Sequence, residues 1–404
     1  MSSNWNVVPF TEAVDICDTL RKPINSSERA SRIKGKEQSE LYPYYGATGQ
    51  VGFIDDYITD GEYVLLGEDG APFLDAFSKK AYIISGKTWV NNHAHVLKSK
   101  TNNKFLCYYL NSFNYKGYVS GTTRLKLTQA EMKRIPVPVP PLSEQERIVA
   151  RIEELFSQLD AGVETLKKTK AQLSVYRQAV LKEAFEGRLT QAFREENGLP
   201  DWKTISITQA IVQRKNALKA GPFGSALKKE CYVPSGYKVY GQEQVIANNE
   251  NIGNYYIDEE KYQELISCAI APHDILISLV GTVGKVLVLS DNCLPGIINP
   301  RLIKVTLDEK IMMPYFFKYY FESAYLKSLY KKKAHGATMD VLNMGMIKEL
   351  PFPLCDIQEQ GQVIKEIESR LSVCDSIEQT VDTALQQAEA MRQSILKDAF
   401  EGKM

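Results

Sequence analysis

Long hydrophobic runs are missing from this chain: none comes near the ~20 residues needed to cross a bilayer. The opening MSSNWNVV has no basic start leading into an apolar stretch, so neither a membrane partner nor a secretory leader is expected, and the expected location is cytoplasmic. Paired cysteines are missing too. Cys17, Cys107, Cys231, Cys268, Cys293, Cys355 and Cys374 are odd in number, scattered and without a CxxC, which excludes a disulfide framework and a zinc ribbon and leaves reduced structural thiols. Histidine is scarce, at 4 residues, so no Ser/His/Asp or Cys/His constellation can be assembled. His93 and His95 stand one residue apart with no third ligand cluster beside them, which predicts one packed and one exposed ring rather than a metal pair; no metal site is expected. Finally, 49 basic residues balance 49 acidic ones, so no global field draws the chain to a polyanion.

Cofactor motifs fail on inspection. GTVGKV from Gly281 lacks the spacing of a phosphate-binding loop, and Val286 stands where a magnesium-binding hydroxyl is required. Asn299-Pro300-Arg301 lacks the second proline and the aromatic of an amino-methyltransferase signature, and no glycine-rich loop precedes it. The chain is read as non-catalytic, with no cofactor of its own.

What is present is a repeat. RIPVPVPPLSEQERIVARIEELF…AVLKEAFEGRL from Arg134 returns from Glu349, and one shift of 215 residues carries Pro136 onto Pro351, Gln145 onto Gln360 and Phe185 onto Phe400 without a gap. The stretches between the copies restart the same plan, Trp202 answering Trp5 at a shift of 197. Length suits more than one core. Charge is uneven: residues 349–404 carry 5 basic and 11 acidic side chains, which masks a slight basic excess over 1–133 and 190–348. Any phosphate contact must therefore come from local clusters.

Within each copy the prolines force an extended approach, Ser143 and Glu146 form a capping-box signal, and Gly187 and Gly402 sit where a left-handed residue closes a helix. Apolar residues recur every seven: Ile152, Leu159, Leu166, Leu173 and Val180 in the first copy, and Ile367, Cys374, Val381, Ala388 and Ile395 in the second. A second row runs Ile148, Leu155, Gly162, Thr169, Tyr176 and Val363, Arg370, Ile377, Ala384, Met391. Such spacing predicts coiled-coil helices. The imperfect second row leaves room for a helix from a partner, and Ile148, Ile152, Leu159, Leu166, Leu173, Ile367, Val381 and Ile395 are the candidate partner-binding positions.

The intervening regions mix short strands (YVLLGEDG, AYIIS, HVLKS) with an apolar-aromatic helix (KFLCYYLNSF), an irregular α/β pattern. Each carries glycine-rich loops bearing hydroxyl, amide and basic groups, the donors that hold phosphates and read base edges. Candidates in the first are Tyr45, Gly46, Thr48 and Gln50 of YGATGQ and Thr122, Thr123, Arg124 and Lys126 of SGTTRLK. In the second they are Gly224, Ser225 and Lys228 of FGSALKK, Gln242 and Gln244 of YGQEQ, and Lys332, His335 and Thr338 of KKKAHGAT.

PPLSEQERIVARIEELF with AVLKEAFEGRLT, LYPYYGATGQVGFIDDYI and GPFGSALKK…YVPSGYKVYGQE together resemble the specificity (S) subunits of type I restriction-modification enzymes over essentially the full length. The resemblance implies an α/β (α+β) fold of two target recognition domains, residues 1–142 and 190–357, separated by two long antiparallel helices, residues 143–189 and 358–404, as a pseudo-twofold repeat. It further implies double-stranded DNA as ligand. Partners would be two S-adenosylmethionine-dependent adenine-N6 modification subunits and ATP/Mg-dependent restriction subunits. The competing reading of the same residues is a coiled-coil adaptor joining two protein-binding domains.

Overall fold

A computed structural model of the chain describes residues 5–280, 282–333 and 342–404, side chains from 331 to 333 excepted. Two helices of 44 residues, α1 (Leu142–Phe185) and α2 (Ile357–Phe400), carry the repeat. At ~1.5 Å per residue each is about 66 Å long. The chain divides into two compact units, Met1–Thr169 with Thr380–Met404, and Lys170–Gln379. Each unit holds the beginning of one long helix beside the end of the other, running antiparallel.

In both units the proline run is a strand edge. Pro136–Pro138 pairs antiparallel with Val7–Pro9, Val7 facing Pro138, and Pro351–Leu354 pairs with Lys203–Ser206, Thr204 facing Pro353. A two-stranded ribbon tolerates proline because one edge needs no N–H donor. Helix α1 then starts at Leu142, one residue before the expected cap, so Ser143 lies inside the first turn. The start is fixed instead by Gln145, which is fully buried, donates to Pro140 O at 2.8 Å and accepts from Thr101 Oγ1 at 2.9 Å. One repeat later Gln360 donates to Cys355 O at 3.0 Å and to Ile311 O at 2.8 Å, and accepts from Met313 N at 2.9 Å.

The helices close as expected. Gly187 and Gly402 have φ of 72° and 70°, and the N–H of the next residue reaches back to Glu183 O (3.1 Å) and Asp398 O (2.9 Å). The repeated phenylalanine before each glycine docks the helix end on aromatics. Phe400 packs on Phe105 and Tyr109 at 5.2 and 5.4 Å, and Phe185 on Phe316 and Tyr320 at 5.3 and 5.1 Å.

The first heptad row faces the opposite helix in each unit: Ile152, Val180, Ile367, Cys374, Val381 and Ala388 are buried and Leu159, Leu166, Leu173 and Ile395 half-buried. The second row holds in part: Ile148 and Val363 are buried and Leu155, Thr169, Arg370 and Ala384 half-buried, whereas Gly162, Tyr176, Ile377 and Met391 are exposed. One position on, Val149, Phe156, Val163, Lys170, Arg177 and Ala184, with Ile364, Leu371, Glu378, Leu385, Arg392 and Ala399, are all buried or half-buried. Charges on this neighbouring row are paired. Arg177 lies 2.7 Å from Asp375 and 2.9 Å from Glu378, and its repeat equivalent Arg392 pairs with Asp160 and stands 5.0 Å over the Phe156 ring. Of the eight positions named above as partner-binding, Ile148, Ile152, Ile367 and Val381 are buried and Leu159, Leu166, Leu173 and Ile395 half-buried.

Between ribbon and helix each unit builds two sheets on a corresponding plan, the smaller of four strands in the first unit and three in the second. The larger one runs Val14–Ile16, Ala94–Ser99, Tyr63–Gly67, Ala81–Ile84 in one unit and Leu218–Ala220, Leu302–Val305, Ile275–Ser278, Val286–Val288 in the other, antiparallel throughout. Beside it lies a sheet with one parallel pair, Tyr42–Gly46 with Lys87–Val90, and Tyr237–Tyr240 with Gly296–Ile298. The predicted helix KFLCYYLNSF forms as Asn103–Ser112, and its counterpart PYFFKYYFESAYLKSLY divides into Pro314–Phe321 and Ala324–Lys333. Two α/β domains and two long antiparallel helices make up the fold.

Candidate nucleic-acid interface

In the first unit the hairpin at Gly46–Gly49 and the loop before Leu127 meet over the ends of the larger sheet. Gly46, Ala47, Thr48, Val51, Asp69, Gly70, Asn91, His93, Thr123 and Arg124 line an open cleft of about 500 Å3. Four sequence candidates, Gly46, Thr48, Thr123 and Arg124, thus come together. Arg124 Nη2 and His93 Nδ1 both lie 2.7 Å from Asp69 Oδ1. The Arg124 side chain remains 62 % exposed, so the carboxylate orients the guanidinium without hiding it. Thr122 and Gln50 are exposed, Gln50 Nε2 donating to Gly52 O at 3.1 Å. Lys126 sits 3.4 Å from Glu68 Oε1. Tyr45 is half-buried against Tyr82, ring centroids 5.9 Å apart, and supports the hairpin.

Behind the cleft His95 is buried, bonded to Asp18 Oδ2 at 2.8 Å and Leu127 O at 3.1 Å, while His93, in the turn before the strand that begins at Ala94, is partly exposed. Burial of Asp18 opposes its ionisation, but hydrogen bonds from His95 and the Val96 N–H and the charge of Arg21 outweigh it and hold the carboxyl below the usual carboxylate range. Asp18 thus ties Arg21, His95, Val96 and Gln129 into the floor.

In the second unit Gln242 opens a short helix, and its Nε2 donates to Ser278 Oγ at 2.8 Å and to Val280 O. Arg301 Nη1 reaches Gln242 Oε1 at 3.5 Å. GPFGS abuts this place: a Cβ on Gly221 would lie 1.9 Å from Asn299 O, so only glycine fits. Gly224–Ala226 makes a single tight turn, with Phe223 at 89 % exposure and Ser225 and Lys228 exposed. Gln244 departs from the expectation. It is fully buried, accepts from Gly241 N at 2.8 Å and donates to Ile252 O at 2.9 Å, so it braces the loop rather than facing a ligand. The side chain of Lys332, and His335 and Thr338 altogether, lie outside the described residues.

Sequence reasoning missed Asp69, His93 and Asn91 in the first unit and Asn299 and Arg301 in the second. The signal was an Asn two residues ahead of a polar side chain at the end of a buried strand; it was weighed only against metal and methyltransferase motifs. Among the described residues, no helix is long and apolar enough to cross a membrane and no group of three or more His, Cys, Asp or Glu could hold a metal.

Two mixed domains with matching loop clusters, joined by antiparallel helices, are the architecture of a two-site reader. Comparison gives the class. The model of the type I restriction modification DNA specificity domain matches residues 3–174 and 223–387, and the chain belongs to that family. It is similar to a putative type I restriction enzyme specificity subunit of Haemophilus influenzae, 27% identical over 393 residues that cover 94% of this chain and 91% of the relative. The EcoBI specificity subunit of Escherichia coli is 24% identical over 76% of this chain and 67% of its own length. Among solved structures, one from work on complex assembly and conformational transition of the type I restriction-modification system superposes with a TM-score of 0.69 at 15% identity, covering 100% of this chain and 99% of the other. The HsdS subunit from Thermoanaerobacter tengcongensis gives 0.54 at 14%, covering 100% and 98%. These two likenesses concern the fold.

Proposed function

We propose that this chain is the sequence-reading subunit of a type I restriction-modification enzyme, each domain recognising one half of a bipartite, asymmetric duplex target. The observation that carries the reading is the loop cluster built twice on one scaffold with different side chains. Two identical readers would demand a palindrome, and these are unlike. Arg124 and Arg301 supply planar donors suited to guanine edges, while Thr48, Thr123, Ser225 and Lys228 suit phosphates. Chemistry then belongs to partners: two adenine-N6 modification subunits using S-adenosylmethionine, and restriction subunits using ATP and Mg, all cytoplasmic. Tyr176 and Ile377, exposed in one unit, and Met391, exposed in the other, are helix positions open to those partners.

The test is methylation of a randomised duplex library by the chain reconstituted with its modification subunits. Two short specified half-sites separated by unspecified bases are expected, together with a steep loss of binding as salt rises. Uniform methylation, or binding indifferent to salt, would sink the reading.

A further inference from the structure

The two domains share one turn whose equivalence the sequence hides. In the first unit the Asn91 N–H donates to Tyr45 O at 3.0 Å, Asn91 Oδ1 accepts from the His93 N–H at 2.8 Å, and His93 O accepts from the Glu68 N–H at 2.8 Å. In the second unit the Asn299 N–H donates to Tyr240 O at 2.9 Å, Asn299 Oδ1 accepts from the Arg301 N–H at 2.9 Å, and Arg301 O accepts from the Leu279 N–H at 3.0 Å. The glycine facing each turn lets the asparagine come close: a Cβ on Gly46 would lie 3.2 Å from Asn91 Nδ2, and one on Gly241 2.9 Å from Asn299 Nδ2. Asparagine, glycine and the flanking strands therefore hold the backbone of the third turn residue in the same way twice. Only its side chain changes, His93 in one domain and Arg301 in the other.

We propose that this third turn residue is the specificity-determining position of each domain, and that Arg301 recognises a guanine in the half-site of the second domain. The inference rests on the proposed function and goes further by assigning residues and a base. A backbone fixed by several hydrogen bonds aims a side chain without loss of loop entropy, which base readout needs and a generic phosphate contact does not. Gln242, itself held by Ser278 and Val280, places its Oε1 beside one guanidinium nitrogen. Among the described residues no carboxylate pairs with Arg301, which leaves its fork of donors for the O6 and N7 acceptors of guanine. His93 lines the first cleft with Thr123 and Arg124, its Nδ1 turned to Asp69, so that Nε2 is the ring edge offered to a base.

The experiment maps the methylated sequences of a randomised library for the full chain with its modification subunits, comparing wild type, R301A, R301K and H93A. With R301A and R301K, preference for guanine at one position of the second half-site falls roughly tenfold or more while the first half-site stays unchanged; a guanidinium fork, not charge alone, reads the base. With H93A only the first half-site relaxes. An unaltered opposite half-site in each variant shows that the chain is folded. A selective wild type whose base profile survives R301A, or which loses activity equally on all sequences, overturns this inference alone. A wild type without any preference overturns the proposed function itself.

Discussion

Replacing Gln360 by methionine should destabilise its helix start far more than the same change at Gln145, although the two occupy identical places in the repeat. Methionine keeps the volume, so the cavity cost stays small and the lost polar contacts dominate. At Gln360 three buried or half-buried backbone groups lose their partner: Ile311 O, Cys355 O and the Met313 N–H. At about 1–3 kcal/mol for each stranded group, with partial relaxation, the loss is roughly 3–5 kcal/mol. At Gln145 only Pro140 O is stranded, since the partner of its oxygen is the hydroxyl of exposed Thr101, which turns to water; the loss is roughly 1–2 kcal/mol. Urea unfolding gives the totals, and hydrogen exchange read by mass spectrometry assigns each to its unit. Equal losses, or a larger one at Gln145, would refute the idea that the glutamine of each repeat acts through these side-chain amide bonds.

Asp18→Ala should destabilise the first unit by roughly 2–4 kcal/mol in thermal melts, since it strands His95 and the Val96 N–H. Because the folded-state pKa of Asp18 is depressed, its contribution is present above the usual carboxylate range and is lost as pH falls through that depressed folded value; the stability gap between wild type and the variant should narrow as pH is lowered, and a constant gap would contradict the assignment. Gly162→Ala, where a Cβ meets nothing within 4 Å inside a helix, should stabilise by about 0.5–1 kcal/mol, while Gly221→Ala, whose Cβ would run into backbone, should lower stability and second half-site binding together. On the helix seam, replacing Arg177 and Glu378 jointly by leucine should change stability by less than about 1 kcal/mol, because partly exposed pairs contribute little; a double-mutant cycle giving several kcal/mol would show the pair to be a specific lock. Inserting four helical residues beside Gly162 should lengthen α1 by about 6 Å and change the unspecified spacer of the target while leaving both half-sites intact, read from the same methylation map.

The repeat was legible because it lies in the chain's most regular physics. Prolines at a ribbon edge, a buried glutamine at each helix start and a left-handed glycine at each end recur at one constant offset, and heptad spacing announces helices that pack on each other. The row beside the second seam was missed because Val149, Phe156 and Val163 are followed by Lys170 and Arg177, whose charges conceal a row that ion pairs and aliphatic stems make compatible with burial. The clefts were half legible. Glycine-rich loops declared themselves by composition, yet loop composition does not separate a side chain that faces solvent from one that braces backbone, so Gln242 and Gln244 looked alike until burial divided them. His93 and Arg301 were hidden for a different reason. Their own side chains take no part in fixing the turn, which Asn91 or Asn299 and backbone hydrogen bonds hold, and a position that accepts any side chain carries no motif of its own. A reader whose target must diverge while its scaffold persists needs such a position, and it is the kind of site that sequence pattern conceals and hydrogen-bond geometry exposes.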